Sequence, residues 1–268
     1  MQPSDAPRPA RTGLPAGPTV SLTVRRYGTR VLPALVLSVL SVAAVACGGS
    51  GAASGDAREV PEGGRLIVTT EGGVRIVGTD TSVVRVADGT GARWSADGKT
   101  RVLDLPCAGA AHEDCGRMPL VRVPRGTAVR VEARNAGVEV TDVRGALRLD
   151  TVNGDVVVRD AGEAHALQRL ATRNGSVRAT GLAARRVEAE TVNGDVDLRT
   201  TTSPDLLSGT TRNGSVRVAL PADPPPYAVR ATTVNGRTVN DLPDASAADP
   251  DHHLTLRTVN GDTEVRTG

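Results

Sequence analysis

The stretch that decides the fold is Thr151-Val-Asn-Gly-Asp155, because close copies of it follow along the chain. Further copies are Thr172-Arg-Asn-Gly-Ser176, Thr191-Val-Asn-Gly-Asp195, Thr211-Arg-Asn-Gly-Ser215, Thr233-Val-Asn-Gly-Arg237 and Thr258-Val-Asn-Gly-Asp262. Degenerate copies precede them at Thr69-Thr-Glu-Gly-Gly73 and Ala133-Arg-Asn-Ala-Gly137. A repeat close to twenty residues long indicates a stacked repeat architecture.

The residues around each copy alternate between apolar and polar side chains. Leu147 and Leu149 stand six and four places before Asn153, and Val156 and Val158 stand three and five places after it. This period of two predicts a strand, a tight turn and a second strand, with one apolar face. Asn-Gly pairs supply positive-φ residues to tight turns. The predicted turn residues are Asn153, Gly154, Asn174, Gly175, Asn193, Gly194, Asn213, Gly214, Asn235, Gly236, Asn260 and Gly261.

Two all-β folds satisfy this pattern. The favoured fold is a β-solenoid, similar to a β-helix, in which Asn-Gly corners join stacked coils. The alternative is a row of antiparallel Asn-Gly hairpins, since the same apolar positions would face each other across a two-residue turn.

The alternation of TVNGD with TRNGS leaves the coil length open. A coil could hold about 20 residues, or about 40 with corners on opposite sides. The longer coil would stack Asp155 on Asp195. The copy at Asn235 departs from the pattern, since Thr238 and Asn240 stand at its inward positions.

The N-terminal 46 residues predict a signal peptide with a long n-region. Arg25, Arg26 and Arg30 precede an apolar run, 31–46, that is too short for a comfortable membrane span. The run ends in Ala44-Val-Ala-Cys47, which resembles the lipobox of bacterial lipoproteins. That resemblance implies cleavage before Cys47 and a lipid on its sulfur. Residues 47–60 would then form a lipid-anchored flexible tether on the outer face of the cytoplasmic membrane.

Composition excludes several classes of partner. The chain has 268 residues, no phenylalanine and a formal charge of +2. Removal of residues 1–46 leaves 27 basic and 29 acidic residues, so no global positive field remains to attract nucleic acid. The aromatic residues are Tyr27, Trp94 and Tyr227, too few for a stacking platform.

The two cysteines other than Cys47 indicate a disulfide rather than a metal site, because the protein is expected to be exported. Cys107 and Cys115 are eight positions apart and would close a surface loop. His112 lies between them, but no C-x-x-C spacing accompanies it. The carboxylates of the Asn-Gly-Asp corners could offer oxygen ligands to calcium, but Ser176 and Ser215 interrupt their row. We therefore expect no metal and no cofactor.

Residues 61–268 are expected to form a single β-repeat domain. Residues 61–120 would be its irregular first part, with the disulfide loop, and 121–268 its regular repeats of about 20 residues. The chain resembles the DUF4097 or toast-rack family over roughly residues 60–268. The resemblance rests on the TVNGDV corners and on the stretch Val121-Arg-Val-Pro-Arg-Gly-Thr-Ala-Val-Arg-Val-Glu-Ala-Arg-Asn-Ala-Gly-Val-Glu-Val140. The resemblance implies an exported or envelope-associated β-helix-like domain with a suggested adhesive role, and it implies no catalytic residues.

No enzyme signature is present: the sequence has no G-x-S-x-G, H-E-x-x-H or P-loop motif. The leading hypothesis is a non-catalytic envelope scaffold or adhesin that is held to the membrane by its lipid and binds an envelope protein or glycan. A structural or signalling component that acts through a membrane partner is the alternative. A polysaccharide-active enzyme on a solenoid is the third. No small-molecule substrate is evident.

Overall fold

The computed structural model describes residues 57–87, 90–107, 118–243 and 251–268, and every regular element in them is a β-strand. The described part contains no helix able to cross a membrane. The predicted signal peptide, Cys47 and most of the tether lie outside the described residues. The strands are β1 (Ala57–Glu59), β2 (Arg65–Thr70), β3 (Val74–Thr79), β4 (Val83–Val86), β5 (Arg93–Asp97), β6 (Thr100–Leu105), β7 (Leu120–Pro124), β8 (Ala128–Ala133), β9 (Val138–Thr141), β10 (Leu147–Asp150), β11 (Val156–Arg159), β12 (Leu167–Ala171), β13 (Val177–Leu182), β14 (Arg186–Glu190), β15 (Val196–Thr200), β16 (Leu206–Thr210), β17 (Val216–Leu220), β18 (Ala228–Thr232), β19 (Thr238–Asn240), β20 (His253–Arg257) and β21 (Thr263–Thr267).

The strands form two sheets. Sheet A has the order β1-β4-β7-β3-β9-β11-β13-β15-β17-β21-β19, and sheet B has the order β18-β20-β16-β14-β12-β10-β8-β2-β6-β5. Each coil consists of one sheet-B strand, a corner and the next sheet-A strand. Nine such coils stack within the described residues, and the strands of neighbouring coils run parallel.

The strand pairing confirms the solenoid and shows that the hairpin alternative is wrong. Strand β10 pairs in parallel with β8 and β12 of the neighbouring coils, so that Leu149 lies between Val131 and Leu170. A hairpin would instead pair β10 with β11, which belongs to the other sheet. The coil of about 40 residues is also wrong, because Asn153 and Asn174 form a bridge on adjacent coils.

The core lies between the two sheets and is built from small aliphatic side chains. Leu147 and Leu149 of β10 and Val156 and Val158 of β11 are no more than 1% exposed. The inward positions therefore follow the alternation in the sequence, and each fully buried valine or leucine contributes about 1.5–3 kcal/mol. Gln168 is a buried exception: its Nε2 donates to Gly145 O at 3.5 Å and its Oε1 has no partner.

Coil order departs from chain order at both ends of the stack. Coil β2/β3 lies between β6/β7 and β8/β9, and coil β20/β21 lies between β16/β17 and β18/β19. At the C-terminal end, Thr238 and Asn240 occupy inward positions, and β19 is exposed. The coil with polar inward residues thus lies at the open end, where those residues need no burial. At the other end, β1, β4 and β5 add antiparallel strands.

Candidate functional site: the asparagine edge

All six Asn-Gly corners lie along one edge of the stack. Asn135, from a degenerate copy, begins the row. We call this row the asparagine edge, and in spatial order it consists of Asn135, Asn153, Asn174, Asn193, Asn213, Asn260 and Asn235. Each asparagine after the first donates from Nδ2 to Oδ1 of its neighbour towards the N-terminal end, over 2.8–3.2 Å. The side chains are exposed, so the edge is a continuous amide ladder facing solvent.

In the six Asn-Gly copies, the threonine two places before the asparagine donates to a corner carbonyl. Thr191 is 3% exposed, and its Oγ1 donates to Gly175 O of the preceding coil over 2.8 Å. The same contact recurs at the other copies over 2.8–3.0 Å. Since a buried hydroxyl or carbonyl without a partner is costly, this contact explains why threonine stands at all six Asn-Gly copies.

Glycine is required at the corners mainly because the coils approach each other closely there. A Cβ on Gly194 would lie 2.1 Å from the carbonyl oxygen of Gly175, and Gly194 has a φ of 152°. The sequence-based prediction of positive φ is wrong for the asparagines, since Asp142 and Asp160 are the non-glycine residues with positive φ in the described chain.

The alternation of TVNGD with TRNGS forms a second ladder along the same edge. Asp155 Oδ1 accepts from the backbone N of Ser176 at 2.8 Å, and Ser176 Oγ accepts from the backbone N of Asp195 at 3.3 Å. The pattern continues through Ser215 and Asp262. Asp155 and Asp195 are thus separated by a serine and do not stack. The alternation keeps carboxylates two coils apart, which limits their repulsion.

A third row follows the residue before each asparagine. In spatial order it alternates as Arg134, Val152, Arg173, Val192, Arg212 and Val259, and it ends at Val234. The arginines are exposed, and Val152, Val259 and Val234 are 41%, 38% and 73% exposed. The sequence did not predict this surface, although the alternation of valine and arginine before the asparagines was a signal for it.

The other surfaces carry charges that neutralise one another. A groove of about 800 Å³ along sheet B is lined by Arg130, Glu132, Arg148 and Asp150 among others. Arg130 pairs with Glu132 at 2.6 Å and Arg148 with Asp150 at 3.0 Å. These paired groups leave few free charges in the groove for acid–base chemistry.

The remaining predicted site residues lie apart from the edge. Cys107 follows β6, whereas Cys115 is outside the described residues, so their pairing stays a prediction. In the described ranges no cluster of three or more His, Cys, Asp or Glu residues could hold a metal ion. At the corners, Asp155 and Asp195 already direct Oδ2 at Arg178 and Arg217, over 2.6 and 3.4 Å.

Comparison with known proteins bears on the family and the fold. A family model described as Toastrack DUF4097 matches residues 127–266, a shorter range than the resemblance predicted. The chain is similar, at 9% identity and a TM-score of 0.38, to a solved structure of a "putative cell adhesion protein" from Clostridium sporogenes. That likeness covers 80% of this chain and 98% of the other. No curated protein matches the chain. Since the family model spans more than half of the sequence, the chain belongs to the Toastrack DUF4097 family.

Proposed function

We propose that this protein is an exported, lipid-anchored and non-catalytic binding scaffold of the cell envelope, an adhesin in function. The observation that carries the proposal is the asparagine edge, which holds seven exposed side-chain amides in fixed register. A rigid, repeating polar surface binds extended partners with little loss of side-chain entropy, because its groups are already ordered.

Export and anchoring rest on the N-terminal sequence. Ala44-Val-Ala-Cys47 follows a short apolar run with basic residues before it. Replacement of Cys47 with Ala should move the protein from the membrane fraction to the medium. Retention of this variant in the membrane, together with a wild-type protein that carries no lipid by mass spectrometry, would contradict the anchor.

A non-catalytic role agrees with the charges on the described surface. Glu132 and Asp150 of the sheet-B groove and Asp155 of the edge are ion-paired, and the cavity of about 450 Å³ near His165 holds the Arg185–Asp205 pair. Ion pairing accounts for the positions of these charged side chains without a catalytic role.

Site-specific photocrosslinking in the envelope tests the binding role. A photoreactive residue at Val152 lies on the asparagine edge, and one at Leu167 lies on the outer face of β12 with similar exposure, 41% against 38%. We expect adducts with an envelope glycan or protein from position 152 and few from position 167. Capture of one membrane protein from both positions would favour the structural or signalling alternative. Absence of adducts from both positions would contradict the scaffold role.

A further inference from the structure

Three arginines of the asparagine edge have no carboxylate partner. Arg134, Arg173 and Arg212 are exposed, and among the described residues no acidic oxygen lies within 4.0 Å of them. The nearby aspartates are already engaged, since Asp155 and Asp195 bind Arg178 and Arg217. The row that precedes the asparagines therefore carries positive charge that no carboxylate of the described residues pairs with.

The spacing of these charges is regular. An arginine stands on every second coil, and adjacent parallel strands are about 4.8 Å apart, so successive guanidinium stems are about 9.6 Å apart. Val152 and Val192 fill the intervening positions with apolar surface. Glu71 occupies the corresponding position in the coil before Arg134 and limits the basic row at that end. The period of two coils is close to the length of a disaccharide.

The amide ladder leaves hydrogen-bonding capacity towards solvent. Each asparagine inside the row uses one of its two Nδ2 hydrogens and one of the two acceptor sites on Oδ1. The remaining donor and acceptor recur on every coil, and hydroxyl-rich polymers match such a row. Within the described chain, Trp94 belongs to β5 and Tyr227 is buried, so neither is one of the corner residues that form this edge.

We propose that the asparagine edge binds a linear anionic glycan with one charge per disaccharide, laid along the axis of the stack. The arginines pair with its anionic groups, the valines contact the apolar faces of its sugar rings, and the asparagine amides bind its hydroxyls. This inference rests on the proposed scaffold role and specifies its partner.

Binding of the full chain to hyaluronan oligosaccharides tests the proposal, because hyaluronan carries one carboxylate in each disaccharide. The triple variant Arg134→Gln, Arg173→Gln, Arg212→Gln should bind about tenfold more weakly, and wild-type binding should weaken with salt. The matched control is Arg159→Gln, Arg186→Gln, Arg230→Gln, which removes three exposed arginines that also lack ion pairs within the described residues. This control should bind within about twofold of wild type.

Four results would overturn the proposal. Equal losses in both triple variants would mean that net charge, not the edge, governs binding. Equal affinity for uncharged dextran would exclude a role for the arginines, and equal affinity for polyglutamate or oligo-dT would exclude a glycan. If hyaluronan does not bind but position 152 still crosslinks to an envelope component, the glycan proposal fails while the scaffold role stands.

Discussion

Asn260 donates from Nδ2 to Oδ1 of Asn213 over 2.8 Å, although 47 residues separate them in the sequence. The copy between them, at Asn235, lies on the far side of Asn260. This order places Asp262 next to Ser215, whose Oγ accepts from the backbone N of Asp262 at 3.1 Å. The TVNGD and TRNGS copies therefore alternate in space up to the last coil but one. In sequence order the alternation stops earlier, because the copy that follows Asn213 is Thr233-Val-Asn-Gly-Arg237.

Glycine at a corner should be far more important than glycine in an open turn. Gly194→Ala places a Cβ 2.1 Å from Gly175 O in a backbone conformation that L residues avoid, so we expect a loss of about 3 kcal/mol in the free energy of unfolding. Gly126→Ala is the matched control, because its Cβ would meet no atom within 4 Å. Urea denaturation measures both variants. Equal stabilities would contradict the close contact between coils.

The threonine hydroxyls should contribute through their bonds to the corner carbonyls. Thr191→Val keeps the shape but leaves Gly175 O without its side-chain donor, so we expect a loss of about 1–2 kcal/mol. Thr180→Val, on the exposed face of β13, should change stability by less than about 0.5 kcal/mol. A thermal melt of each variant decides the point, and a stabilised Thr191→Val would refute the assigned bond.

The sequence predicts a great deal of the fold because the burial pattern is local. Leu147, Leu149, Val156 and Val158 point inward as their alternation indicates. The choice between solenoid and hairpins could not be made, since both folds place the same residues on one face.

The edge itself was harder to foresee. Its side-chain ladders form between residues about 20 or more positions apart, and the partner of Asn213 depends on which copy lies next to it. Local periodicity does not determine coil order. That order follows from contacts between coils, including the placement of polar Thr238 and Asn240 at the open end.

The predicted disulfide should protect both cysteines of the exported protein. If Cys107 and Cys115 are bonded, alkylation without reductant labels neither, and closure of so short a loop stabilises the fold by roughly 2–3 kcal/mol. Reduction should therefore lower the melting temperature, and Cys107→Ser with Cys115→Ser should show no further effect of reductant. Full labelling of both thiols in the untreated protein would exclude the bond.

Tyr227 should make stability depend on pH in the alkaline range. Burial raises its pKa to about 12, and its hydroxyl donates to Pro204 O at 2.7 Å. The folded state disfavours the charged tyrosinate. The contribution of the neutral Tyr227 side chain to stability is therefore complete below about pH 10 and is lost as the pH rises towards 12. Denaturation across this range should show a steeper decline for wild type than for Tyr227→Phe. Parallel declines would contradict the raised pKa.

The central claim is that the Asn-Gly corners form one ladder in which coil 253–267 is inserted before coil 228–240. Disulfide crosslinking tests it directly, because bonded cysteines need Cα atoms about 4.4–6.8 Å apart and neighbouring coils are about 4.8 Å apart. Oxidation of the Asn213→Cys, Asn260→Cys variant should join tryptic peptides 213–217 and 258–266. The Asn213→Cys, Asn235→Cys variant should not join 213–217 to 231–237, since two coil spacings separate them. A crosslink in the second variant and none in the first would contradict the order of the coils and the ladder built on it.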